Sequence, residues 1–310
     1  VLCTTTLLLE RNVPLDAKLG DLIPECRIDA TVADALFHRT GLAAFRPFFA
    51  EALTEFPSLV DPRCPASIRA EARSFTIHRV AESEPEIPPR TQVVYSDLGF
   101  ILLGEFLERE SKLPIDRLFQ TVIAVPKKID AGFRRMSHQL APSKAIAETG
   151  TSRPRPPAPG QEGLWTLESH ASHLGGVDDD NAWVMDGVAG HAGLFATAPA
   201  VAHLSVDVID RTLGGSMTWP RDSLVANSTR TLGFDTPSAD APSCGSRFGR
   251  AGPLGAIGHL GFTGTSLWID FDLELVVVLL SNRVALGRHN VKIRSFRPAF
   301  HDAVLDELKL

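Results

Sequence analysis

Thr263-Gly-Thr-Ser-Leu-Trp-Ile-Asp-Phe-Asp-Leu-Glu-Leu-Val-Val-Val-Leu-Leu-Ser281 decides the fold class of this chain. Its apolar residues recur with period two, which predicts strands over Thr263 to Asp270 and Glu274 to Ser281, joined by the turn Asp270-Phe-Asp-Leu273. The second run is apolar on both faces at Val276, Val277 and Val278, the pattern of a central strand covered on both sides. After it, Pro298 opens a predicted amphipathic helix with Phe300, Val304, Leu305 and Leu308 on its apolar side. Before it, the periodicity is helical. Helices first, then strands and a closing helix, give an α+β chain.

Upstream, Val1 to about Glu10 reads as helix despite Thr4, Thr5 and Thr6. Thr31 with Asp34 forms a capping-box signature for a helix over Val32 to His38, stopped by Gly41. Pro65 fits the first position of a helix whose apolar residues run from Ile68 to Val80. Ser96 is placed to cap the next helix, striped by Leu98, Ile101, Leu102 and Phe106. Thr151 to Gly163 holds four prolines and two glycines and reads as a loop. Gly187 to Gly193 precedes a helix from about Ala200 to Leu213. Thr218 to Ala256 is polar and punctuated, with little predicted structure. We expect one domain over 1–310, mostly helical to about 182 and sheet-containing from 183.

At 310 residues, the chain can bury a core without disulfide staples. Its 44% apolar content excludes collagen-like and disordered classes. The longest fully apolar run is Leu275 to Leu280, far below the ~20 residues needed to span a bilayer. A net charge of −6 provides no basic footprint for nucleic acid. Cys3, Cys26, Cys64 and Cys244 show neither a C-x-x-C pair nor metal spacing, and their pairing is open.

Few residues carry a chemical signature. None of the lysines follows a serine at the Ser-x-x-Lys spacing, and there is no Gly-x-Ser-x-Gly elbow, phosphate loop or His-Glu-x-x-His. Tyr95-Ser96-Asp97 opens a predicted helix, and Tyr95 is the single tyrosine of the chain. Two readings are open there: a half-buried ring with Ser96 as cap, or a phenol whose pKa a nearby cation lowers, making it a general base. His259, just before the first predicted strand, is either an exposed turn residue or a cleft residue beside Gly261. His170 and His173 with Asp178, Asp179 and Asp180 are metal-ligand types without a helix to fix their spacing. Gly190-His191-Ala-Gly193 reads as a structural turn or a phosphate-cradling loop.

In order along the chain, these segments resemble the serine β-lactamase and penicillin-binding superfamily, in the branch holding class C enzymes, family VIII-type esterases and DD-peptidases. The resemblance rests on Val1-Leu-Cys-Thr-Thr-Thr6 with Pro14-Leu-Asp16, Leu36-Phe-His-Arg-Thr-Gly-Leu42, Tyr95-Ser-Asp-Leu-Gly-Phe-Ile-Leu-Leu-Gly104, Asn181-Ala-Trp183, Gly187-Val-Ala-Gly-His-Ala-Gly-Leu-Phe195, Gly258 through Asp270, and Leu279-Leu-Ser-Asn-Arg283. It implies an antiparallel sheet flanked by helices, with a helical subdomain.

By the same resemblance, Tyr95 is the proton-shuttling tyrosine and Asp97 stands where the motif has Asn. His259 takes the place of the third-motif Lys or His, Gly261 gives the substrate room, and the Phe262 N–H serves the oxyanion hole. His191 lies in the cleft loop. The family's nucleophile motif, Ser-x-x-Lys, is followed directly by an apolar, Thr-rich stretch like Val1 to Thr6. We therefore expect the chain to begin one residue after that lysine, with the nucleophile and the first sheet strands upstream. Leu260 in place of a hydroxyl residue, and His259 in place of a fixed positive charge, disfavour β-lactams and favour esters or D-alanyl peptides. No metal or organic cofactor is implied. The rival expectation is a non-catalytic binding or scaffold member of the family, and a third is a metal-dependent protein using His170 and His173.

Overall fold

A computed structural model describes residues 1–61, 63–138, 146–148, 175–238, 240, 243–286 and 288–310. Helices fill the first part of the chain: α1 (Leu2–Glu10), α2 (Leu19–Leu22), α3 (Val32–Leu36), α4 (Phe48–Glu55), α5 (Ala66–Ala81), α6 (Asp97–Ser111), α7 (Ile115–Phe119) and α8 (Val125–Lys127). The capping box of α3 forms as the sequence predicts. Thr31 Oγ1 accepts from the Asp34 N–H, and the Asp34 carboxylate accepts from the Thr31 N–H. The helix ends at Leu36, two residues earlier than expected, because His38 adopts φ +55°. α1 forms with Thr4, Thr5 and Thr6 all buried, so burial outweighs the modest helix propensity of threonine.

α6 is the axis of the helical part, with Leu98, Phe100, Ile101, Leu102, Leu103, Phe106 and Leu107 inside the main core. Ser96 does not cap it. Its Oγ donates instead to the Ala43 carbonyl at 2.7 Å, which ties the start of α6 to the 41–44 segment. One contact fixes what α6 faces. A Cβ at Gly190 would lie 2.1 Å from the Phe100 carbonyl oxygen, and one at Gly104 would lie 2.9 Å from the Gly190 nitrogen. Loop 187–193 thus meets α6 backbone against backbone, which only glycine allows.

After α9 (Asp180–Val184) and α10 (Ala198–Leu213), the chain builds an antiparallel sheet in the order β3-β4-β5-β6-β7. Its strands are β3 (Arg230–Thr231), β4 (Phe234–Asp235), β5 (Ala256–Leu260), β6 (Ser266–Asp270) and β7 (Leu275–Leu279). A smaller pair, β1 (Ala131–Phe133) and β2 (Leu194–Ala196), lies apart from it. α10 packs on one face of the sheet. α11 (Ile293–Leu308) covers the other through Leu305, Phe300 and Val304.

The α+β class is as expected, with four corrections of detail. β6, not β7, is buried along its whole length, while β7 lies at the sheet's edge among the described residues. Polar side chains hide this burial in the sequence: Ser266 Oγ pairs with His301 Nε2, and Asp270 accepts from the Gly249, Asp272 and Leu273 N–H groups. The Thr218–Ala256 segment contributes β3 and β4, two residues each. His259 sits on β5 rather than before the first strand. α11 begins at Ile293, with Pro298 inside it, because Arg297 anchors that first turn to the sheet. The predicted proline-rich loop lies outside the described residues.

Candidate active site

Three elements converge on Tyr95. His38, at the end of α3, packs its ring 4.6 Å from the Tyr95 ring centroid and 5.1 Å from that of Phe100. Its Nδ1 accepts the Ser96 N–H at 3.1 Å and its carbonyl accepts the Val94 N–H at 2.9 Å, so both sides of Tyr95 are pinned to one residue. These bonds hold His38 at a positive φ that costs roughly 1–2 kcal/mol in an unconstrained chain. On the sheet side His259 approaches Tyr95 at 5.8 Å between centroids, and the Arg230 guanidinium lies 5.4 Å from the Tyr95 ring.

These rings stand beside a cavity of about 650 Å³. Tyr95, Asp97, His191, His259, Gly261 and Phe262 all line it, so every residue expected at the site reaches one cleft. The first turn of α1, at Val1, Leu2, Cys3 and Thr4, forms part of the wall. Thr4 Oγ1 donates to the Gly190 carbonyl at 3.0 Å and locks α1 to the His191 loop.

The electrostatics correct the expectation for Tyr95. Although 45% of its surface is exposed, that surface is largely cavity wall, and the phenol is desolvated. Burial and then Asp97 push its pKa up to about 12, against the opposing pull of Arg230. Tyr95 is therefore a neutral proton donor in this environment, not a phenolate. His259 is depressed to about 3, mainly by burial and further by nearby positive charge. Its Nδ1 lies 2.9 Å from the Leu260 carbonyl, and its Nε2 is buried without a partner among the described residues. At neutral pH it brings no charge to the cleft.

His191 behaves oppositely. Burial disfavours its charge, but Asp179, with Oδ1 2.8 Å from Nε2, outweighs that and raises its pKa. With 4% of its side chain exposed, it braces the cleft wall through Asp179. Arg288 reaches the carboxylates of both Asp178 and Asp180, so these acids, read from sequence as metal-ligand types, are engaged in ion pairs. His170 and His173 lie outside the described residues. No cluster of three or more His, Cys, Asp or Glu suited to a metal occurs among the described residues.

Gly261 and Phe262 form a turn gripped by arginines. Arg297 donates to the Gly261 and Thr265 carbonyls at 2.5 and 2.7 Å, and Arg283 Nε to the Phe262 carbonyl at 2.6 Å. A Cβ at Gly261 would lie 2.0 Å from Thr265 Oγ1. A larger residue at Gly261 would therefore have to displace the Thr265 side chain. The Phe262 ring, 56% exposed, stands at the cleft lip under the Arg283 guanidinium, 4.3 Å from its centroid. Sequence reading gave no role to His38 or Arg230. His38 lay inside a quoted motif, whereas Arg230 had no local signal.

The model of the family described as Beta-lactamase matches residues 2–295. The chain belongs to the beta-lactamase family. Among curated relatives of this beta-lactamase-family chain are two proteins named provisionally as D-alanyl-D-alanine carboxypeptidases. They come from Salmonella gallinarum and Salmonella agona and are 28% and 27% identical over 243 residues. Each alignment covers 74% of this chain and 54% of the relative, so the chain spans about half the length of the curated relatives it matches.

Solved structures share the fold. A penicillin-binding protein homologue from Caulobacter crescentus superposes with TM-score 0.56 at 19% identity, over 96% of this chain and 81% of its own. A beta-lactamase/D-alanine carboxypeptidase from Yersinia pestis gives 0.57 at 14% identity, over 98% and 82%. An octameric penicillin-binding protein homologue from Pyrococcus abyssi gives 0.61 at 14% identity, over 99% and 63%. No helix among the described residues is long and apolar enough to cross a membrane.

Proposed function

We propose that this beta-lactamase-family chain carries the proton-transfer and oxyanion side of a serine hydrolase that cleaves an ester or a D-alanyl peptide through an acyl-enzyme. The observation that carries the reading is the meeting of Tyr95, His259 and the Phe262 turn at one cavity with the first turn of α1 in its wall. In this reading a Ser-x-x-Lys motif joined to Val1 places the seryl oxygen in that cavity. The seryl oxygen attacks the carbonyl carbon and passes its proton to the motif's lysine, forming the C–O bond of the acyl-enzyme. The scissile C–O or C–N bond of the substrate breaks, and the leaving group takes its proton from the Tyr95 hydroxyl, which recovers one from that lysine. The Phe262 N–H, which has no partner among the described residues, supports a role as oxyanion donor. Such a donor contributes about 3–4 kcal/mol to the transition state.

The neutral imidazole of His259 supports substrates that lack a carboxylate beside the scissile bond, because no fixed charge there would hold one. Neutral esters, and D-alanyl peptides without a free carboxylate beside the scissile bond, therefore rank ahead of penicillins.

Labelling with a fluorophosphonate, read by intact-protein mass spectrometry, tests the reading. The chain as written should take no label, and the chain extended through the residues encoded before Val1 should take one equivalent. Stoichiometric labelling of the chain as written would refute the placement of the nucleophile. An unlabelled extended chain would favour a non-catalytic binding role.

A further inference from the structure

We propose that Arg230 is a positioning residue that acts through Tyr95, holding a fixed positive charge against the ring while the phenol gives up its proton. The proposal rests on the role given to Tyr95 in the hydrolase reading. The O–H bond of Tyr95 breaks, the proton leaves with the departing oxygen or nitrogen of the substrate, and the electron pair stays on Oη. The guanidinium 5.4 Å from the ring then faces a phenolate, whose π system attracts a cation more strongly than that of the neutral phenol.

The geometry around Arg230 is built to keep that charge in place. Arg230 opens β3 and faces Asp235 across the β3–β4 hairpin, with a guanidinium–carboxylate distance of 3.7 Å. Its side chain is largely buried, and its carbonyl accepts the Asp222 N–H at 3.0 Å. The Asp222 carboxylate pairs with Arg39, and Arg39 Nε reaches Asp34 at 2.8 Å. The hairpin's Gly233 N–H donates to the Leu36 carbonyl at the end of α3. The hairpin bearing Arg230 is therefore stitched to the same helix end that presents His38 to Tyr95. Cation and phenol are referenced to one frame.

Among the described residues, the other groups facing Tyr95 do not supply this charge. His38 on the α3 side and His259 on β5 are both held neutral by burial. Asp97 on α6 and Asp179 before α9 act against a phenolate. Cys3 on α1 is held protonated by burial, and the His191 ring is engaged by Asp179.

Because Tyr95 is the single tyrosine, biosynthetic replacement by 3-fluorotyrosine puts one fluorine resonance at this site and brings its titration into an accessible range. Arg230→Gln should raise the titration midpoint by about one pH unit, and Arg230→Lys should retain most of the wild-type position. Asp235→Asn frees the guanidinium of its carboxylate and should lower the midpoint. A merely structural Arg230 makes both charge-removing variants loosen the same hairpin and shift the midpoint the same way. Opposite shifts support the proposal; an unchanged midpoint in Arg230→Gln, or shifts of one sign, overturns it. The readout needs no turnover. Absence of acylation in the labelling experiment would therefore sink the hydrolase reading without moving the fluorine titration.

Discussion

Tyr95 and His259 face each other as neutral groups, where the sequence left a phenolate open at Tyr95 and set His259 in place of a fixed positive charge. The reason is burial, which no local motif encodes. Replacing Tyr95 by Phe keeps the ring on His38 and removes only the hydroxyl, so the melting temperature should hardly change. In the form of the protein that turns over a p-nitrophenyl ester, kcat should fall by about 10²–10⁴ if that hydroxyl moves the proton. An unchanged kcat would take Tyr95 out of the mechanism. A second expectation follows from the depressed histidines. His259 and His301 titrate in the folded chain at about 3 and about 4, both lowered chiefly by burial. In the unfolded chain they take up protons near 6.5. Stability from their neutral forms is thus complete above about pH 6.5 and is lost as pH falls toward the folded values. Urea midpoints across that window should decline on acidification, and His259→Gln should flatten the decline. A flat profile in the parent chain would contradict the assigned burial. The identities of the cleft residues were readable because motif spacing survives in sequence. Their protonation was not, because it depends on burial and on neighbours such as Arg230, which is far from Tyr95 in the chain.

Helix starts were legible where chemistry is local: the Thr31–Asp34 box forms as expected, and α6 begins at Asp97. Elements were misread where tertiary contacts decide. Two-residue strands such as β3 and β4 have no period to detect, and Ser266 and Asp270 disguise a buried strand as a half-exposed one. α11 shows the same override. Proline inside a helix removes one hydrogen bond and crowds the preceding turn, yet the helix extends back past Pro298 so that Arg297 can grip the Gly261 and Thr265 carbonyls. Hydrogen bonds from a charged donor contribute about 1.5–3 kcal/mol each at most. Arg297→Ala should therefore destabilise the chain by about 2 kcal/mol or more in urea unfolding, a range set by losing two hydrogen bonds from a charged donor. Faster amide exchange at Gly261 and Gly264 should accompany it, since both N–H groups are bonded within the turn that the same grip holds. A variant with parental stability and exchange would show that the arginine is incidental.

For the whole molecule, the mild net charge and the uneven sheet act together. With a net charge of −6 over 310 residues, long-range repulsion between copies is weak at physiological salt. β7 lies at the sheet edge among the described residues, with half-buried Leu275, Val276, Val278 and Leu279 and an exposed Leu280 beside it. Such an edge templates pairing with another copy. Light scattering of the purified chain should show concentration-dependent association that Leu280→Lys reduces. Equal scattering by the two would place the contact elsewhere. The α+β class and the convergence of the cleft residues were visible before the structure, while the order of strands across the sheet, which decides what is exposed, was not.

The backbone contact between Gly104 and Gly190 has a consequence for how the cleft responds to heat. Clefts usually widen or narrow as the side chains between their walls hop among rotamers. Here α6, which begins two residues after Tyr95 in the chain, and the loop carrying His191 meet at Gly104 and Gly190 through peptide groups, with no rotamer between them at that contact. Warming can excite no side-chain hop at that point. The separation of phenol and imidazole should therefore drift little with temperature until the helix itself lets go, and the cleft should fail abruptly rather than slacken by degrees.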